Sequence, residues 1–385
     1  MSQAVGDVSQ PPESSLAVTT SESARQKRKI AALEEKLQVL ESGHAVKLRE
    51  TNYYMSKGRA IRRIVTLFDM VEDMISENDR RCDLDEDEDD NVTLDQERLQ
   101  IGYITLNHAL PWFHPKASDM EYEDYTLMLK KLRQGADAAR GDDTSKLKSL
   151  VADWVNREFN PNPPVDPEDK HHRGFINDAS GRLLCPTELD WNNPIVRAGI
   201  RDRADGYVVT EMSWPAFLYE KYSADQNNLE EGLFKGTLLL QAFKAIFTSP
   251  SSAKEVAGEG DGADVIANNR CAMKNFNSGK KVKTHVTQII NMRKVTGCSI
   301  AYVSCQLRFA LSSVTSWHSV DGDFDYIPFW QNIVDFFEWP PGRAAQKVFG
   351  TSRRAELTDG AKVQMSVNAL ARQRAQLDDA MFNSD

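Results

Sequence analysis

Residues 300–311 read IAYVSCQLRFAL, and Ile300, Val303, Leu307, Ala310 and Leu311 fall at the spacing of one helix face. A half-buried strand would need strict alternation of apolar and polar positions, which this stretch lacks. Working outward, Ile333, Phe336 and Phe337 repeat the helical period, as do Leu238, Ala242, Ala245 and Ile246 within the apolar run 233–247. Asn193–Pro194 predicts a helix start, because Asn caps well and Pro suits the first turn. Trp214–Pro215 predicts another, carrying Phe217, Leu218 and Tyr222. Ser252 and Glu255 have the capping-box spacing of a further short helix. Upstream, Leu94 to Leu110 reads helical as far as Pro111. Two more stripes follow, at Tyr125, Leu129 and Leu132, and at Leu147, Leu150, Val151, Trp154 and Val155. Pro161, Pro163, Pro164, Pro167 and Pro186 make 160–193 rich in loops. No stretch sustains period-two alternation with hairpin turns. The fold class is all-α.

The N-terminal quarter is organised differently. Residues 1–24 are polar, with Pro11, Pro12 and a Ser/Thr cluster, and predict a disordered tail. After the basic cluster Arg25, Lys27, Arg28 and Lys29, the residues Ile30, Leu33, Leu37 and Leu40 recur at three, four and three. That is a coiled-coil seam, with Glu34, Glu35 and Lys36 on its wet face. It runs for about two heptads until Gly43 and His44 interrupt it. A second stripe, Ile61, Ile64, Phe68, Val71 and Ile75, resumes out of register. Two helices, or one long helix with a register break, fit equally. The segment 25–81 is therefore a helical or coiled-coil arm, suited to homodimerisation through residues 28–80 or to packing on the chain's own core. Residues 83–90 carry seven acids in eight positions, so 82–91 reads as an acidic, solvated linker. Residues 92–340 form one helical core domain. Residues 341–385 are a polar appendage whose Val363, Val367, Leu370 and Leu377 suggest one amphipathic helix.

Composition narrows the function classes. The chain has 385 residues, 41% of them hydrophobic and 27% charged, enough apolar material for a sizeable core. No apolar run approaches the length of a membrane span, and the polar start has no secretory core, so no membrane partner is expected. Five cysteines with no paired spacing fit a reduced, intracellular setting. With 47 basic against 57 acidic residues, a wholly basic nucleic-acid binder is excluded and a local basic face is not.

Several central blocks belong together. They are Arg173-Gly174-Phe175, Gly181-Arg182-Leu183-Leu184-Cys185-Pro186, Asp190-Trp191, Trp214-Pro215 with Phe217-Leu218-Tyr219, residues 246–253 (IFTSPSSA), Ile300-Ala301-Tyr302-Val303, and Arg308-Phe309-Ala310-Leu311-Ser312-Ser313. Over about residues 95–340 they resemble an uncharacterised domain family present in many copies in mushroom-forming fungi. The resemblance implies a single coherent domain of fungal, intracellular origin, and it brings no mechanism with it.

Motifs for chemistry are weak. Residues 258–263 (GEGDGA) spell a dinucleotide loop, but the expected capped helix precedes them and Glu259 and Asp261 would repel a pyrophosphate. Asp321, Asp323 and Asp325 have the spacing that opens a calcium loop, yet Tyr326 and Asn332 stand where Gly and Glu are needed. Cys82, Cys185, Cys271, Cys298 and Cys305 include no C-x-x-C pair. Neither a nucleophile elbow nor a phosphate loop is present. No catalytic residue, metal or cofactor is assigned.

The electrostatic pattern is more pronounced. From Val265 to Val320 there is no Asp or Glu, where 57 acids in 385 residues would place about eight. Arg270, Lys274, Lys280, Lys281, Lys283, Arg293, Lys294 and Arg308 give the stretch a charge of +8. Asn268, Asn269, Asn275, Asn277 and Phe276 add amide and stacking groups. Such a stretch suits phosphates, because neutralising them releases counterions; it equally suits neutralising the chain's own acidic linker at 83–90, and its apolar part reads as a buried helix that expels acids. The candidate contacts for nucleic acid or another acidic partner are Arg270, Lys274, Lys280, Lys281, Lys283, Arg293 and Lys294. Those for self-association are Ile30, Leu33, Leu37 and Leu40. Lys280-Lys281-Val282-Lys283 resembles a short nuclear-import cluster, which favours nucleus over cytoplasm. The leading expectation is a non-enzymatic interaction protein. The alternative is an enzyme of unrecognised type using the polar block 170–191, with His171, His172, Arg173, Arg182 and Asp190.

Overall fold

A computed structural model describes residues 15–83, 92–225, 228–248, 253, 285–290, 292 and 294–338. The expected helix at Ser252, the glycine-rich run 258–263, the acidic run beyond Asp83 and the C-terminal appendage lie outside these residues. Helices dominate, and among the described residues the only strands are a two-residue antiparallel pair, β1 (Val320–Asp321) and β2 (Phe324–Asp325). The chain divides into two compact units, Met1–Tyr54 and Met55–Asp385.

The first unit is a stretch of one long helix, α1 (Ser15–Gly58), which begins inside the segment expected to be a tail. Ala17, Ala24, Ala31 and Ala32, with Leu, Glu, Gln, Lys and Arg around them, are good helix formers, and no Pro interrupts them.

The second unit starts with the last turn of α1. It continues through α2 (Ile61–Ile64), α3 (Val71–Asp83), α4 (Leu94–Ala109), α5 (Phe113–Ser118) and α6 (Tyr122–Phe159). Then come α7 (Asp178–Leu184), α8 (Pro194–Arg201), α9 (Thr237–Phe247), α10 (Val286–Ile289), α11 (Gly297–Leu311) and α12 (Tyr326–Glu338). Its centre is α11, in which every residue is buried. A helix buried on all sides needs small or apolar residues around its whole circumference. Cys298, Ser299, Ala301, Ser304, Cys305 and Ala310 supply them, so α12, α6, α9 and α2 pack against it. Thr296 caps its start by accepting from the Ser299 amide. At α8 the Asn193 side chain accepts from the Ile195 amide, with Pro194 in the first turn, as its sequence predicts.

Two elements depart from expectation. The stripes around Leu129 and Val151 belong to one 38-residue helix, α6. Ala136, Ala138 and Ala139 carry it between the stripes, and Gly135 sits where a Cβ would stand 2.0 Å from the Met55 carbonyl oxygen. Glycine is there for close backbone approach. At Trp214–Pro215 no α-helix forms; two short 3-10 turns take its place, Ala216–Leu218 and Glu220–Tyr222. The amides are spent on tertiary bonds instead: Ala216 N donates to Cys185 O, and Glu220 N to Gly232 O. Lys221 and Tyr222 adopt left-handed backbone, which ends any helix there.

Candidate functional site

On α1 the apolar seam faces solvent. Ile30, Leu33 and Leu37 are 55%, 58% and 56% exposed, and Leu48, one hendecad beyond Leu37, is 52% exposed. Eleven residues bring a helix back almost to the same face, so Leu48 prolongs the stripe after a stutter. Heptad counting misses it; an eleven-residue count would find it. The side chain of Leu40 lies outside the described residues. Lys29, Glu34 and Lys36 are exposed beside the seam. The second stripe has a different fate: Ile61, Ile64 and Val71 are buried in the core of the second unit.

Of the basic candidates, Arg270, Lys274, Lys280, Lys281, Lys283 and Arg293 lie outside the described residues, and Lys294 is exposed. Arg308, which contributes to the same run of charge, points inward. Its guanidinium lies 3.2 Å from the Phe324 ring centroid, donates to the Tyr326 hydroxyl at 2.9 Å and pairs with Asp321 at 3.3 Å. Asp323 pairs with Arg203. Two of the three carboxylates with calcium-loop spacing are thus spent on arginines.

The polar block 170–191 is split between interior and surface. His171, His172, Arg182 and Asp190 are exposed, and Arg182 and Asp190 both bond to Asn192. Arg173 turns inside, 1% exposed, and donates to the Ala310, Asp166 and Pro167 carbonyls. Beside it Lys170, 3% exposed, donates to the Phe309 and Val314 carbonyls with its ammonium over the Phe309 ring. Arg173 and Lys170 therefore close the C-terminal end of α11 by donating to carbonyls at and just beyond its last turn. Burial, with Arg173 adding to it, pushes the Lys170 ammonium down to about 7. Sequence reasoning noticed Arg173 and passed over Lys170, because nothing local marks a lysine whose partners lie about 140 residues away.

Opposite this end, the flank of α11 meets a buried ion pair. Arg63 of α2 donates from Nε and a terminal nitrogen to Asp143 of α6, at 2.8 and 2.9 Å. Tyr302 of α11 donates to the same carboxylate at 2.9 Å. Burial opposes the Arg63 charge, but the Asp143 bonds and charge outweigh it and the arginine is held above its usual range. Burial first, then the Asp143 charge, pushes the Tyr302 hydroxyl well up. All three side chains act as ties between helices.

A cleft between α2, α4 and α12, lined by Thr66, Glu97, Arg98, Trp330 and Asp335, holds about 40 Å³. That is room for a few waters, far below the roughly 300 Å³ at which ligand pockets begin. Cys185, Cys298 and Cys305 are buried, and burial pushes the Cys185 thiol up to about 12. Among the described residues no His, Cys, Asp or Glu group is arranged to hold a metal, and no helix is long and apolar enough to cross a membrane.

The comparisons with known proteins give a family without an activity. No curated protein and no solved structure matches the chain. Residues 134–349 match the model of a family of unknown function, from within α6 to beyond α12, and every sequence block quoted above falls inside that span. The match covers more than half of the chain, so this protein belongs to DUF6698, a family of unknown function.

Proposed function

We propose that this chain is a non-enzymatic interaction protein that associates with itself through α1. The supporting observation is the row of exposed Ile30, Leu33, Leu37 and Leu48 on one face of a 44-residue helix. Large apolar side chains repeated along a single helix face are the contact pattern of a coiled coil. The interior of the second unit adds support, because Arg63, Asp143, Lys170, Arg173 and Arg308 are engaged in holding helices together.

Sedimentation of the full chain over a concentration series tests this. Wild type is expected to gain mass with concentration. Leu33→Glu with Leu37→Glu is expected to lose about a hundredfold or more in association constant, as each buried Leu is worth about 1.5–3 kcal/mol. Both side chains are exposed in the single chain, so at concentrations low enough to keep wild type monomeric the circular dichroism melts of the two should coincide, and above that range wild type should melt higher. A wild type that stays monomeric at every concentration overturns the proposal.

The second part of the proposal is an acidic partner, with nucleic acid favoured, for the basic run 270–294. Its support is the stretch from Val265 to Val320 without a single acid. Fluorescence anisotropy with labelled DNA and RNA across a salt series is the measurement. Lys280→Ala, Lys281→Ala and Lys283→Ala together should flatten the log–log salt slope by about 0.9 per lost duplex phosphate contact. An absence of binding at low salt removes nucleic acid as the partner. A nucleic-acid role also suits the nuclear location that Lys280-Lys281-Val282-Lys283 favours.

A further inference from the structure

We infer that α1 pairs with α1 of a second copy of this chain as a parallel, in-register, two-stranded coiled coil. This rests on the self-association proposed above and adds how many strands pair, how they are oriented and what sets that orientation.

The seam assigns the heptad. With Ile30 and Leu37 at a, Leu33 and Leu40 fall at d, Lys29 and Lys36 at g, and Glu34 and Glu41 at e. In a parallel pair, each g side chain meets the e side chain five residues on in the other strand. Lys29 then faces Glu34 of the second copy, and Lys36 faces Glu41. By the two-fold axis each pair occurs twice, so all four flanking contacts join opposite charges.

Antiparallel packing gives a different ledger. It sets a against d of the other strand, so Leu33 lies across Leu37, and it brings e against e and g against g. At the centre Glu34 would then meet Glu34 and Lys36 would meet Lys36, both repulsive, and these offset the two Lys27–Glu41 contacts at the ends, so the antiparallel pair lacks the net gain of the parallel one. Lys29, Glu34 and Lys36 are exposed beside an exposed seam, placed to choose between these arrangements. Leu at both d positions with Ile at one a also suits two strands better than three or four.

The test uses the full chain with Cys82→Ser and Cys271→Ser, leaving the buried thiols in place. Leu33→Cys in that background is expected to form a disulfide-linked dimer under mild oxidation, because equivalent d positions face each other only in the parallel arrangement. Ile30→Cys mixed with Leu40→Cys is expected to give no mixed disulfide. Lys36→Glu should weaken association about fivefold or more, since two attractive contacts become repulsive. In an antiparallel pair it would merely exchange one like-charge contact for another and leave association unchanged. A mixed 30–40 disulfide, or an indifferent Lys36→Glu, overturns the parallel assignment while the mass still rises with concentration. A mass that never rises overturns the underlying self-association instead.

Discussion

Replacing Asp143 with Ala is expected to remove about 3–5 kcal/mol of stability, read as a lower denaturant midpoint at unchanged slope. The carboxylate has no exposed side-chain surface, and Arg63, at 3%, has almost none. Without it, a guanidinium remains in the core with its main acceptor gone and the Tyr302 hydroxyl loses its bond. A domain has about 5–15 kcal/mol to lose, so this variant would give up between about a fifth and all of its stability. The paired replacement Arg63→Met with Asp143→Leu should recover most of the loss, because a buried ion pair is costly to break and far less costly to replace whole. Asp143→Ala within about 1 kcal/mol of wild type would mean that the pair does not sit in the closed core described here.

The second large effect concerns pH. Lys170 has a folded-state value of about 7 against 10.5 for an ordinary lysine. Between these values the unfolded chain binds the proton and the folded chain does not, so stability rises with pH through this window. The contribution is complete above the unfolded value and is lost as pH falls through 7. Compared with Lys170→Met, wild type should gain about 2 kcal/mol between pH 7 and 9, since one unit is worth about 1.4 kcal/mol. The comparison with the variant matters because Cys185, raised by burial, works in the opposite sense above pH 9. Parallel curves for the two proteins would place Lys170 in water instead of at the end of α11.

The helices that could be read in the sequence are those whose signal is local. The face of Ile300, Val303 and Leu307, the Asn193–Pro194 start and the seam at Ile30 each declare themselves within a dozen residues. The Trp214–Pro215 segment misled because its apolar spacing resembles a helix while its amides are claimed by Cys185 and Gly232 from other parts of the chain. The ties between helices were invisible for the same reason. Asp143 meets residues 80 and 159 positions away, and no spacing rule links such partners. Arg173 drew attention as a polar residue in a rich block, and its role proved to be closing a helix end.

The position of α11 in the chain also shapes how the protein is made. Residues 63 and 143 leave the ribosome well before Tyr302, which lies 159 residues beyond Asp143. At about 5–20 residues per second that gap lasts roughly 8–30 s. Throughout it, the earlier helices display the apolar surfaces that α11 will cover, and the Arg63–Asp143 pair stays wet. The centre of the second unit is therefore among the last of the described residues to be synthesised, and a nascent chain arrested short of Leu311 is expected to expose the apolar surface that α11 would cover.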